Sequence, residues 1–221
     1  MATIYPGSKE YDTYWRGRAR RAKTRANKYI SPIFLRARDK VTTNALEVLN
    51  NRRYLKIDDA RKRLIAVKRD PKIKEIESII IQAADSSLAA IFENLPLHYS
   101  EEVPMICKTL YPWTEQIGGC KASLNAKEVA QMRQEPFLGR TYREWNIINR
   151  NNAIKAWNNA FRAVMTGDIR TENKVSRDSQ LVAEARKALN TQESRTKTLF
   201  ENAMIQVSRQ AQVDVEGAIW P

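Results

Sequence analysis

Apolar residues recur along this chain at steps of three and four, the spacing that lines one face of an α-helix. Ile73, Ile76, Ile80, Ala84, Leu88, Ile91 and Leu95 form the clearest series. They predict a core helix that starts on Pro71, where a missing N–H is harmless, and stops before Pro96. Ahead of it, Ile57, Ala60, Leu64 and Val67 make a narrower stripe, and Arg61, Lys62, Arg63, Lys68 and Arg69 fill the rest of the circumference. That pattern predicts a helix with one wet, positive side, with Asp58-Asp59 favouring its N-terminus. Thr141-Tyr142-Arg143-Glu144 fits a capping box, in which threonine and glutamate each satisfy a backbone N–H of the other. Trp145, Ile148, Trp157, Phe161, Val164 and Met165 supply bulky contacts to the helix that follows, and Gly167 is placed to end it. Leu181, Val182, Ala185 and Leu189 predict another helix, capped at Asp178 or Ser179. Leu199, Ala203, Val207, Ala211 and Val215 predict a last one from about Ser194 to Glu216.

The breakers fall between these patterns. Pro32, Pro71, Pro96, Pro104, Pro112 and Pro136, with Gly118, Gly119, Gly139 and Gly167, leave uninterrupted stretches at 33–70, 72–95, 140–166 and 168–216. Those are helix lengths, and alternating strand patterns are absent, so the expected fold is all-α. A basic helical region over 1–95 is expected to join, through a long Pro/Gly-containing loop over 96–123, a helical bundle over 124–221. Long loops often carry function, and Tyr99, Tyr111 and Trp113 in this one are expected to bind a partner chain. The alternative is that they pin the loop to its own core.

Charge sharpens the picture. The 221 residues hold 38 Lys/Arg against 25 Asp/Glu, a net +13. Residues 1–74 carry 21 of the basic residues and 7 of the acidic ones, so the first third holds all of the excess. A charge serving solubility alone would be spread over every exposed face, whereas segregation favours an electrostatic footprint for a polyanion. Its sharpest part runs from Tyr14 to Tyr29. As a helix this segment places Trp15, Ala19, Ala22, Ala26 and Tyr29 on a small-residue stripe, with Arg18, Arg21, Arg25 and Lys28 on a basic stripe beside it. Arg16, Arg18, Arg20, Arg21, Lys23, Arg25 and Lys28, with no acidic neighbour in the segment, are the expected nucleic-acid-binding residues. A solvated basic face is the alternative. No helix-turn-helix or zinc module is evident, so phosphate contact without base reading is expected, most plausibly to DNA. A membrane surface is disfavoured because an alanine stripe buries little area in lipid.

Candidate chemistry is sparse. Cys107, Cys120 and the single His98 offer no zinc set and no disulfide framework, so no metal and no cofactor are expected. No Gly-Lys-Ser/Thr follows Gly118-Gly119, and the adjacent carboxylates Asp58-Asp59 and Glu101-Glu102 point to different sides of a helix. A non-enzymatic protein is expected. It should be made in a reducing cytosol, since no charged leader with an apolar run and no membrane-length apolar segment is found.

Two segments resemble the head-morphogenesis family of tailed-phage minor head proteins. One is Thr198-Leu199-Phe200-Glu201-Asn202-Ala203-Met204-Ile205-Gln206-Val207-Ser208-Arg209-Gln210-Ala211-Gln212, similar to the helix that closes the family's domain. The other is Leu138-Gly139-Arg140-Thr141-Tyr142-Arg143-Glu144-Trp145 with the helix that follows. Glu201, Asn202 and Gln212 stand where the family has its Arg-Thr pair and a later Arg, so the resemblance bears on the fold more than on single residues. Over residues 137–220 it implies a low-copy structural protein of the phage head, found in the virion and, during assembly, in the host cytoplasm. Its implied partners are portal or capsid proteins and packaged double-stranded DNA, with several copies per particle and no membrane. A cellular accessory protein that binds nucleic acid non-specifically is the alternative.

Overall fold

A computed structural model describes residues 8–51, 56–57, 59–112, 123–166 and 174–219. Nearly all of them lie in seven helices: α1 (Lys9–Tyr29), α2 (Ser31–Leu49), α3 (Ala60–Lys68), α4 (Pro71–Leu110), α5 (Ala126–Gln134), α6 (Tyr142–Thr166) and α7 (Lys174–Ile219). Among the described residues there is no strand, only an isolated bridge between Phe137 and Arg140. The fold is all-α, as the periodicity requires.

Two of the expected caps form. Asp59 accepts from Lys62 N at 2.9 Å and opens α3. Its carboxyl is held below the usual range, first by that backbone N–H. Thr141 N donates to Glu144 at 2.7 Å while Glu144 N reaches Thr141 Oγ1 at 3.3 Å, so α6 begins at the predicted capping box. Asn125 and Glu128 make a second reciprocal box at the start of α5.

Three expectations about boundaries need correction. The first concerns the loop over 96–123, because α4 continues through Pro96 and Pro104 to Leu110. Each interior proline removes one backbone hydrogen bond and costs roughly 3 kcal/mol. Burial on one face outweighs that cost: Leu95, Tyr99, Val103, Ile106 and Leu110 are at most 2% exposed, while Pro104 faces water. Second, α7 is one continuous helix, so Asp178 and Ser179 lie within it and no boundary exists near Ser194. Nothing between Lys174 and Glu216 is Gly or Pro, so no residue there interrupts the backbone ladder. Third, the stretch 33–70 is divided, since α2 ends at Leu49 and α3 begins at Ala60.

The chain divides into two compact units, and neither is continuous in sequence. One gathers Met1–Tyr29, Leu88–Trp145 and Lys197–Pro221; the other gathers Ile30–Ser87 and Asn146–Thr196. The division expected near residues 95 and 123 is therefore not where the structure divides. Contacts between helices far apart in sequence define the units, and a linear change in charge or proline content does not report them.

In the first unit, α1 buries Tyr14, Ala22 and Ala26. The core it joins includes Leu95, Tyr99 and Val103 of α4 and Phe200, Met204, Val207 and Ala211 of α7. Tyr29 stacks on Phe200 with ring centroids 6.3 Å apart. In the second unit, Phe34, Val41 and Ala45 of α2 are buried, as are Ile76 and Ile80 of α4, Trp157 and Phe161 of α6, and Leu181 and Leu189 of α7. Arg38 pairs with Glu193, and Lys72 lies 3.3 Å from Glu47.

Candidate functional site

The seven basic residues expected on one nucleic-acid-binding surface do not act as one set. Helix α1 is rotated relative to the expected orientation: Ala19 is exposed and Trp15 only half-buried, while Tyr14 is buried. The inward side therefore carries the basic stripe that was expected to face a polyanion. The reason lies across the unit on α4. Glu101 and Glu102, adjacent in sequence, both turn toward α1 and supply the acidic partners that the N-terminal segment lacks.

Glu102 is the centre of this seam. Its side chain is 1% exposed, and it accepts from Tyr14 Oη at 2.7 Å, from Arg21 Nε at 3.0 Å and from Arg21 Nη2 at 3.1 Å. Burial alone pushes the carboxyl up. The hydrogen bonds from Arg21 and Tyr14, with the charge of Arg21, outweigh it and hold Glu102 below the ordinary carboxylate range. Tyr14 shows the reciprocal effect: burial and the neighbouring carboxylate raise its phenol far above the ordinary value. Arg25 pairs with Glu101 at the more exposed edge of the same seam.

His98, one turn before Glu102, is 2% exposed. Its Nε2 lies 3.1 Å from Ser208 Oγ, and that hydroxyl already donates to Met204 O at 3.0 Å. The serine oxygen therefore accepts, which places the ring proton on Nε2 and leaves the buried Nδ1 without a partner. Burial first, with the charges of Arg25 and Arg21 adding, lowers His98 to about 4, so the ring is neutral at neutral pH.

Arg18 is also drawn inward. Its guanidinium lies 3.4 Å from the centroid of the Trp15 ring, a cation–π contact. Burial, followed by repulsion from Arg209, lowers it to about 10. These contacts place Arg18, Arg21 and Arg25 in the architecture of the first unit, which corrects the expectation that they are available to phosphates. Arg16, Arg20, Lys23 and Lys28 remain exposed. Arg16 approaches Asp12 at 4.0 Å and Lys28 lies 5.1 Å from the Tyr29 ring centroid. Arg20 and Lys23 have no acidic partner among the described residues, and with Arg16 they follow one line along α1 at steps of four and three.

The second unit carries basic surface outside the densest charge run. Arg36 and Lys40, one turn apart on α2, line a groove of about 260 Å³ with Gln82 and Ser86 of α4, and no carboxylate lines it. Arg36 Nε donates to Pro32 O at 3.2 Å, which fixes the stem and leaves the terminal nitrogens outward. The sequence signal was available: Arg36 and Lys40 are an i, i+4 pair, and Gln82 and Ser86 repeat that step. Helix α3 adds exposed Arg61, Lys62 and Lys68, the expected wet, positive side.

Of the expected partner-binding aromatics, Tyr99 is fully buried and its hydroxyl donates to Asp214 at 2.6 Å. It is a core residue, which is the alternative reading and corrects the expected interface role. Tyr111 is half-buried and donates to Glu216 at 2.6 Å; burial and that carboxylate raise its phenol. Trp113 lies outside the described residues, as do Gly118, Gly119, Cys120 and Gly167. Among the described residues, no three His, Cys, Asp or Glu side chains could hold a metal ion, and no helix is long and apolar enough to cross a membrane. Comparison of the chain with family models, curated proteins and solved structures returns no match.

Proposed function

We propose that this chain is a structural protein of a phage virion, placed in the head interior or at the portal vertex. There it assists head assembly and contacts packaged double-stranded DNA without reading its sequence. The observation that carries the DNA contact is the cationic surface left over after the internal ion pairs are subtracted. Arg20 and Lys23, with Arg16 held only by the exposed Asp12 at 4.0 Å, line α1, and Arg36 and Lys40 share a carboxylate-free groove with Gln82 and Ser86. Cations that have no internal partner gain free energy when a polyanion releases its condensed counterions on binding. Long flexible stems without a rigid recognition element suit phosphate contact and not base edges. The virion placement rests on the resemblance over residues 137–220, whose described residues include α6 and the whole of α7, both long amphipathic helices.

Affinity for duplex DNA is expected to fall steeply with salt and to vary little with sequence. Replacing Arg16, Arg20 and Lys23 together by Gln should reduce the log–log salt slope by roughly 2–3, and Arg36→Gln with Lys40→Gln by about 2, at about 0.9 per lost contact. A slope unchanged in both variants removes the DNA reading. Mass spectrometry of purified particles should find the protein at a fixed low copy number; its absence removes the virion reading.

A further inference from the structure

The turn joining α5 to α6 is built against its own backbone preference. Phe137 N donates to Arg140 O at 2.7 Å and Arg140 N to Phe137 O at 3.3 Å, leaving Leu138 and Gly139 as the two central residues. Their φ values are +50° and +76°. Positive φ at both central positions is met at no cost by Asn-Gly, and Gly139 satisfies its half. Leucine does not, because in that conformation its Cβ crowds a backbone carbonyl. Leu138 is also 78% exposed, so packing within its own chain offsets nothing. The strain weakens the isolated fold with no burial to offset it, and such strain commonly marks a contact site.

The surroundings of the tip show what kind of contact fits. Trp145 Nε1 donates to Phe137 O at 2.7 Å, and the Arg140 guanidinium lies 5.2 Å from the Trp145 ring centroid, so the base of the turn is braced. Arg140 and Arg143 are exposed beside it. A complementary surface exists on the same unit. A recess of about 110 Å³ is lined by the apolar Leu124 and Met132 and by Gln131, Gln210, Glu128, Glu135 and Asp214, room for one branched aliphatic side chain with acidic groups around it. Asp214 and Glu128 also accept hydrogen bonds within the chain, which leaves Glu135 as the freest carboxylate.

We propose that Leu138 of one copy of this chain inserts into that recess on a second copy, with Arg140 and Arg143 meeting the acidic rim. The tip and the recess are formed by different residues, so the contact runs head to tail unless a two-fold axis lets each copy contribute both. It requires neither DNA nor a particle, and it stands apart from the proposed virion role.

Sedimentation of the purified full chain tests it. The wild-type chain self-associates in a concentration-dependent way. Leu138→Asn relieves the backbone strain, so the thermal midpoint rises by about 2–4 °C, whereas association weakens at least tenfold. Gln131→Trp, at an exposed position lining the recess, fills it and also weakens association. An equimolar mixture of L138N and Q131W restores a 1:1 dimer, because one variant keeps an open recess and the other an intact tip. Arg143→Glu, exposed and remote from the core, weakens association about tenfold. A wild-type chain monomeric at about 100 μM, where even weak specific contacts populate dimers, overturns the proposal. So does undiminished association in L138N or R143E, or a mixture that stays monomeric.

Discussion

Replacing Arg21 by Met separates an architectural arginine from a DNA-binding one. The substitution keeps most of the aliphatic stem and removes both hydrogen bonds to Glu102, whose buried carboxylate then keeps the Tyr14 Oη hydrogen bond, with His98 and the Arg18 charge nearby. Stripping a buried pair of one partner costs roughly 3–5 kcal/mol. Arg21 is 32% exposed, so water can reach part of the vacated site, and a loss of about 2–3 kcal/mol is the better expectation. For a chain of this size that is a fall in thermal midpoint of about 5–10 °C. Thermal unfolding followed by circular dichroism measures it, with the DNA salt slope measured on the same sample. The slope should stay at the wild-type value, because Arg21 is committed to Glu102. A triple replacement, Tyr14→Phe, Arg21→Met and Glu102→Leu, removes the donors together with the buried charge. It should return stability to within about 1 kcal/mol of the wild type, as apolar replacement of a whole buried network often does. An Arg21→Met variant with an unchanged midpoint and a lowered slope would refute the assignment of this residue to the seam.

His98 and Glu102 give the first unit an acid-sensitive stability. His98 is lowered from 6.5 to about 4, so between those values the unfolded chain binds the proton that the folded chain refuses. Stability therefore falls as pH drops from about 6.5 toward 4, and Glu102, whose folded carboxyl is also depressed, adds loss in the same direction at lower pH. Urea midpoints between pH 7 and 4 should show a decline that flattens above pH 5 in His98→Asn; an equally steep decline in the variant would place the sensitivity elsewhere. Tyr99→Phe removes the hydrogen bond to Asp214 and should cost about 1.5 kcal/mol in urea unfolding, whereas an unchanged urea midpoint would show that this bond does not hold Tyr99 in the core.

The local chemistry of the chain was sufficient to determine that the fold is helical and where three of the helices begin. Ile73 to Leu95 could not alternate across a strand, and Asp59 and the Thr141–Glu144 pair stood where a first turn leaves donors unpaired. These are short-range effects, fixed by residues within four or five positions of one another. What surrounds each helix is not short-range, and the expectations failed there. Pro96 and Pro104 end a helix by local rules, yet α4 passes through both because burial of Tyr99, Val103 and Ile106 against distant segments outweighs two missing hydrogen bonds. The N-terminal arginines looked unpaired because their carboxylates lie some eighty positions away; only the tertiary structure brings Glu102 to Arg21 and Glu101 to Arg25. A charge count measures how much positive charge a segment carries. Whether that charge meets water, DNA or a buried glutamate depends on which side of the helix the core claims, and side chains far along the chain settle that.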